Sequence, residues 1–156
     1  MSMHVTDDWL EAYNARRESE RKQAKAAHDR LTKAMTGSGL SEDEEQILLF
    51  SWADYMLGTY PELALLFHIP NGGSRSRAEA GRFKAMGVKP GVPDLFLPVP
   101  RDGYSGLFIE LKREHGGALS DAQRDWLDDL TARGFRAVMC HGWEAARDVL
   151  VDYLRR

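Results

Sequence analysis

Apolar residues in this chain follow two kinds of pattern. In 91–99 (GVPDLFLPV) and 106–112 (GLFIELK) they run almost continuously for a few positions between Gly and Pro, as interior strands do. In 41–56 (SEDEEQILLFSWADYM), 119–134 (LSDAQRDWLDDLTARG) and 143–154 (WEAARDVLVDYL) they recur three and four apart, which predicts amphipathic helices. Ser41 with Glu44 makes a capping box at the first of these, and Ser120 caps the second, with Gly134 just past its end. The apolar run 63–69 (LALLFHI) predicts a strand that ends in the turn residues PNGG, 74–86 a helix stopping at Gly87, and 135–141 (FRAVMCH) a strand. Residues 6–35 predict one long helix, with Thr6 as cap and Asp7 and Asp8 at the positive end of its dipole. Its apolar residues are sparse and its charges alternate in sign, so it predicts a solvated or partner-seeking element rather than core. The TGSG at 36–39 is a joint that divides a charged helical extension, 1–36, from a domain at 37–156. Helix, strand, helix, two hairpin strands, helix, strand and helix then make an α/β domain, a mixed β-sheet flanked by helices.

Composition narrows the class. The chain has 156 residues, 43% of them hydrophobic, enough for one real core. No apolar run approaches the ~18 residues of a membrane span, and the N-terminal stretch has no apolar segment behind a basic start, so the expectation is a cytoplasmic protein. A lone cysteine, Cys140, excludes an internal disulfide and a multi-cysteine zinc site. The net charge of −3 offers no global attraction to nucleic acid, yet residues 75–89 carry five basic side chains against one acidic.

The candidate chemistry lies where charge interrupts the strands. Along 106–112, Leu107, Ile109 and Leu111 share one face and Phe108, Glu110 and Lys112 the other. A hairpin centred near 102 and 103 places Asp94 opposite 110 or 111, so Asp94, Glu110 and Lys112 converge. A structural ion pair is the plain alternative. Against it, unpaired buried charge costs roughly 3–5 kcal/mol, and two carboxylates with one lysine remain net negative. Two carboxylates are hard oxygen ligands suited to Mg²⁺ or Mn²⁺. A cation there, with Lys112 beside it, is the chemistry of phosphodiester hydrolysis.

The VPD of 92–94 followed by the IELK of 109–112 resembles the PD-(D/E)XK nuclease signature, and 41–154 resembles its VRR-NUC branch, which includes small phage and bacterial proteins. The matching pieces are EEQILLFSWA, HIPNGGSRS, GVKPGVPDLFLPV, GLFIELKRE, LSDAQRDWL and GFRAVMCHGWEAA, in that order. The resemblance implies a restriction-endonuclease-like core and a metal-dependent endonuclease. It implies Asp94 and Glu110 as metal ligands, the Leu111 carbonyl as a third ligand, and Lys112 as the catalytic lysine. It also implies a glutamate on the first helix of the domain. Glu44 is engaged in its capping box and Glu45 points to the core face, so Glu45 is preferred and Glu42 is the fallback. Gln123 matches a polar position near the lysine, while Ser120-x-x-Gln123 is equally a capping box. Asn71, Arg75, Arg77, Arg82 and Lys84 are candidates for contact with DNA phosphates, although a turn and a solvated helix face account for them nearly as well. His68 is read as a strand-end histidine. The family's association with flaps and four-way (Holliday) junctions implies branched DNA as partner and settings such as DNA repair or phage DNA processing. A homodimer through the charged helix would supply two active sites. The rival reading is a non-catalytic nucleic-acid-binding module on the same fold.

Overall fold

The computed structural model describes residues 7–35, 39–70 and 77–155. The elements are α1 (Asp7–Met35), α2 (Glu42–Met56), β1 (Phe67–His68), α3 (Arg77–Ala85), β2 (Leu95–Leu97), β3 (Leu107–Lys112), α4 (Asp121–Ala132), β4 (Arg136–His141) and α5 (Trp143–Arg155). The four strands form one sheet in the order β1-β2-β3-β4. The first two pairings are antiparallel and β3 with β4 is parallel, so the sheet is mixed. Parallel neighbours need a crossover, and α4 supplies it.

Alternation along the strands separates two faces. Leu95, Leu97, Leu107, Ile109 and Leu111 are buried with Leu48, Leu49 and Trp52 of α2 and Ala146, Leu150 and Tyr153 of α5. The other face carries Phe96 stacked on Phe108, with ring centroids 4.1 Å apart, and Phe135 lies edge-on to both. Helix α4 lies on that side, through Gln123 against Glu110. The hairpin turn is Asp-Gly: Asp102 and Gly103 both have positive φ, at 49° and 82°, as the tight turn matching strand twist requires. Gly91 closes the approach to Asp94. Its φ is 82°, and a Cβ there would lie 2.6 Å from the Ala122 carbonyl carbon, so only glycine lets this loop rest on the first turn of α4.

Two expectations need adjustment. Residues 63–69 are not one strand: Pro61–Leu65 is a 3₁₀ turn and the strand is Phe67–His68 alone. Proline at its start favours a helical turn, and burial here has period three, with Leu63 and Leu66 inside while Leu65 and Phe67 face out. The long helix is exposed over 11–23, as expected of a solvated element, but its second half packs on α2. Leu31 meets the core, His28 sits edge-on to Trp143 at 5.2 Å, and Arg21 lies over Tyr55. Thr6 and 36–38 lie outside the described residues, and 74–76 of the third predicted helix do too.

Cys140 is buried on β4, and burial pushes its thiol up to about 11. Only about 0.1% of it is thiolate at pH 8. A disulfide reagent such as Ellman's is expected to react with the native protein about a hundredfold more slowly than with free cysteine, and at the normal rate in denaturant.

Candidate active site

The hairpin register builds the site. Leu95 pairs with Ile109, Phe96 with Phe108 and Leu97 with Leu107. Continued by one residue, it sets Asp94 across from Glu110, one of the two positions, 110 or 111, that the hairpin left open. The Asp94 carboxylate confirms the placement, accepting a hydrogen bond from the Leu111 N–H at 2.9 Å. Lys112, two residues beyond Glu110 on the same strand face, puts its Nζ 2.7 Å from Glu110 Oε1 and 3.9 Å from Glu42 Oε1. Glu110 and Lys112 are buried. Asp94, Glu42, Asp43, Gln46 and His68 line a cleft of about 310 Å³ with Leu111.

The capping box on α4 does two things at once. Gln123 Oε1 accepts from the Ser120 N–H at 2.9 Å, and the Ser120 hydroxyl accepts from the Gln123 N–H. With the amide oxygen fixed by the cap, the Nε2 end must face away from it, and there it donates to Glu110 Oε1. Two roles that compete in the sequence are thus one geometry. Glu110 Oε1 therefore meets both Lys112 and Gln123, whereas Oε2 is buried with no hydrogen-bond partner among the described residues.

Burial is the main cause that lifts Glu110 to about 7; the Lys112 hydrogen bond opposes it, and the charges of Asp94 and Glu42 add to it. For Lys112 burial works to lower the pKa, but the Glu110 bond and the charges of Glu110, Glu42 and Asp94 outweigh it, so the ammonium is held above its ordinary value. These neighbours favour the ammonium form of Lys112.

The model of the VRR-NUC domain matches residues 59–144, more than half of the chain. The chain belongs to the VRR-NUC family. A solved structure of a VRR-NUC domain protein is similar, with TM-score 0.65 and 30% sequence identity, covering 76% of this chain and 92% of that one. No curated protein matches. The VRR-NUC domain is a nuclease domain of the PD-(D/E)XK superfamily.

The VRR-NUC match contains the hairpin, α4 and β4 but begins after α2, so the glutamate of the first helix has to be settled by geometry. Glu45 is buried as expected, but it does not join the cluster. Its Oε2 accepts from the Trp143 N–H at 2.8 Å, at the start of α5, and its Oε1 accepts from the Glu114 N–H at 3.3 Å. A carboxylate at a helix N-terminus satisfies orphan donors and meets the dipole favourably. Glu45 is therefore a tie between α2 and α5, and its assignment as a metal ligand is corrected. Glu42, the fallback, is the α2 carboxylate near Lys112. Glu44 is held in its capping box, with Ser41 N donating to Oε2 at 2.8 Å.

The proposed phosphate contacts divide. Asn71 and Arg75 lie outside the described residues; Arg77 opens α3, and its side chain is likewise outside them. Arg82 and Lys84 are exposed in the last turn of α3. The residue the sequence underrated is His68: its Nδ1 lies 3.0 Å from the Asp94 carbonyl, and it lines the cleft. The carbonyl can only accept, so Nδ1 carries the proton. The cue was its place at the strand end beside the partner of Asp94.

Among the described residues no three His, Cys, Asp or Glu side chains form a ready-made metal cage. The donor set that fits a cation is instead two carboxylates and a backbone carbonyl, all hard oxygens. The unpartnered buried Glu110 Oε2 is the atom whose environment a cation would complete.

Proposed function

We propose that this VRR-NUC protein is an Mg²⁺- or Mn²⁺-dependent endonuclease that hydrolyses DNA phosphodiester bonds and selects its substrate by structure rather than sequence. The observation that carries the reading is the cluster of half-buried Asp94 with buried Glu110 and Lys112, whose Glu110 Oε2 has no hydrogen-bond partner among the described residues, beside an open cleft. Asp94, Glu110 and the Leu111 carbonyl would hold the cation, with Glu42 as the nearby third carboxylate. When bound, it polarises a phosphate oxygen and acidifies water at the site. Lys112, fixed as a cation, stabilises the negative charge that grows on the phosphorus oxygens. Gln123 holds the Glu110 carboxylate in one orientation. Basic side chains such as Arg82 and Lys84 give affinity without reading bases. The preference for flaps or four-way junctions rests on family analogy.

The test is cleavage of labelled duplex, single-stranded, flap and four-way junction DNA with Mg²⁺, with Mn²⁺ and with EDTA, beside Asp94→Ala. Cleavage that needs the metal and Asp94 supports the reading; metal-independent cleavage, or none of any substrate, overturns it. Metal affinity has a predictable pH dependence. A cation needs Glu110 ionised, and this group takes up its proton near pH 7, so apparent affinity is expected to weaken about tenfold per pH unit below 7 and to level off above it. Titration calorimetry at pH 6 and 8 checks this.

The exposed first half of α1 is proposed to pair two protomers. Sedimentation of the whole chain against one lacking residues 1–37 tests it, and both species running as monomers would remove the helix from the argument. No helix of the described residues is long and apolar enough to cross a membrane, and a cytoplasmic setting is proposed.

A further inference from the structure

We infer that Phe67 is a stacking platform for an unpaired base adjacent to the scissile phosphate, an assignment that rests on the nuclease reading above. Phe67 pairs with Phe96 and Phe96 with Phe108, so three rings form one row across the sheet. The next row along the strands, on the same face, is Ile69, Asp94 and Glu110: the Ile69 N–H donates to the Asp94 carbonyl at 2.7 Å and continues the ladder. Rows two residues apart are separated by about 6.8 Å, roughly one nucleotide of a stretched strand. A phosphate at Asp94 and Glu110 therefore leaves a neighbouring base within reach of the aromatic row.

Only one of the three rings is available. Phe96 and Phe108 are stacked on each other and flanked by Phe135. Phe67 stands on the edge strand, 47% exposed, with its ring held edge-on to Phe96 at 5.7 Å. The exposed part of that ring can take a flat, apolar occupant. A base inside a duplex has both faces covered by its neighbours, so only a frayed, flap or single-stranded nucleotide can use the platform. Phe67 thus supplies a physical cause for selection by structure.

The full chain would be compared with Phe67→Leu, which keeps apolar bulk, and Phe67→Trp, which keeps the flat ring, on flap and intact duplex DNA in Mn²⁺. The expected result is a fall of about ten- to a hundredfold in kcat/KM on the flap for Phe67→Leu, little change on duplex, and recovery in Phe67→Trp. In Ca²⁺, 2-aminopurine placed beside the mapped cut is expected to be quenched by the wild type and by Phe67→Trp but not by Phe67→Leu. Flap cleavage by Phe67→Leu equal to wild type, or equal losses on flap and duplex, overturns the platform and leaves the nuclease reading standing. A wild type that cuts neither DNA removes both. Concentration-dependent dimers lost in Phe67→Leu, with quenching unchanged, overturn it in favour of a self-association edge.

Discussion

Lys112→Ala is expected to lower DNA cleavage by about 10³ or more while the protein stays folded. The ammonium is nearly buried, 2.7 Å from Glu110 and 3.9 Å from Glu42, and no other described cation contacts Glu110. Removing it takes away the charge proposed to stabilise the phosphate in the transition state. Truncating one partner of a buried pair ordinarily costs about 3–5 kcal/mol. Here the penalty is expected to be smaller, about 1–2 kcal/mol, because Glu110 has an escape. Burial already raises it to about 7, and without Lys112 it takes a proton and stays neutral against Gln123. A carboxyl whose folded pKa lies above its unfolded value makes the folded state bind the extra proton, so stability falls as pH rises between the two. The deficit of Lys112→Ala is therefore expected to be larger at pH 8 than at pH 6, which thermal melts at the two pH values would show. Unfolding at both, with cleavage by the residual folded protein intact, would make the cluster purely structural.

Glu45 and Glu42 are expected to separate stability from activity. Glu45→Ala leaves the backbone N–H of Trp143 without its buried acceptor and opens a gap under the start of α5. A buried unsatisfied donor, a lost helix-dipole partner and the missing side chain together cost about 3 kcal/mol, which lowers Tm by about 6–12 °C for a chain of this length. Below that melting point cleavage per folded molecule is expected to be near normal. Glu42→Ala is expected to do the reverse. Its carboxylate is half exposed on the Lys112 side of the cleft, so Tm hardly changes while metal affinity and cleavage fall at least tenfold. If Glu45→Ala melts normally and loses metal binding, the division of roles drawn from the two hydrogen bonds is wrong.

The sequence by itself determined a hairpin centred near 102 and 103 and brought Asp94, Glu110 and Lys112 to one place, because side chains alternate with period two and Asp-Gly favours a tight turn. It left Asp94 opposite 110 or 111: the turn pair Arg101–Tyr104 alone would select 111, and the strand register Leu95–Ile109, shifted by one residue, selects Glu110. Caps were legible for the same reason: Ser41 with Glu44 and Ser120 with Gln123 act within four residues. What lay beyond local reach was which α2 carboxylate meets Lys112. Glu42 and Glu45 are nearly one helical turn apart, and both readings satisfy the sequence pattern. The choice depends on where α5 begins relative to α2, because the buried N–H of Trp143, at the start of α5, claims Glu45 across 98 residues of chain. The dual use of Gln123 was likewise undecidable, since it requires α4 to lie on the Glu110 face. So was the docking of α1, whose contact stripe is Ala24, His28 and Leu31 rather than a row of large apolar residues. Local spacing dictates what the backbone's own periodicity brings together; side chains reaching between elements are assigned only when packing fixes which donor stands in front of which acceptor.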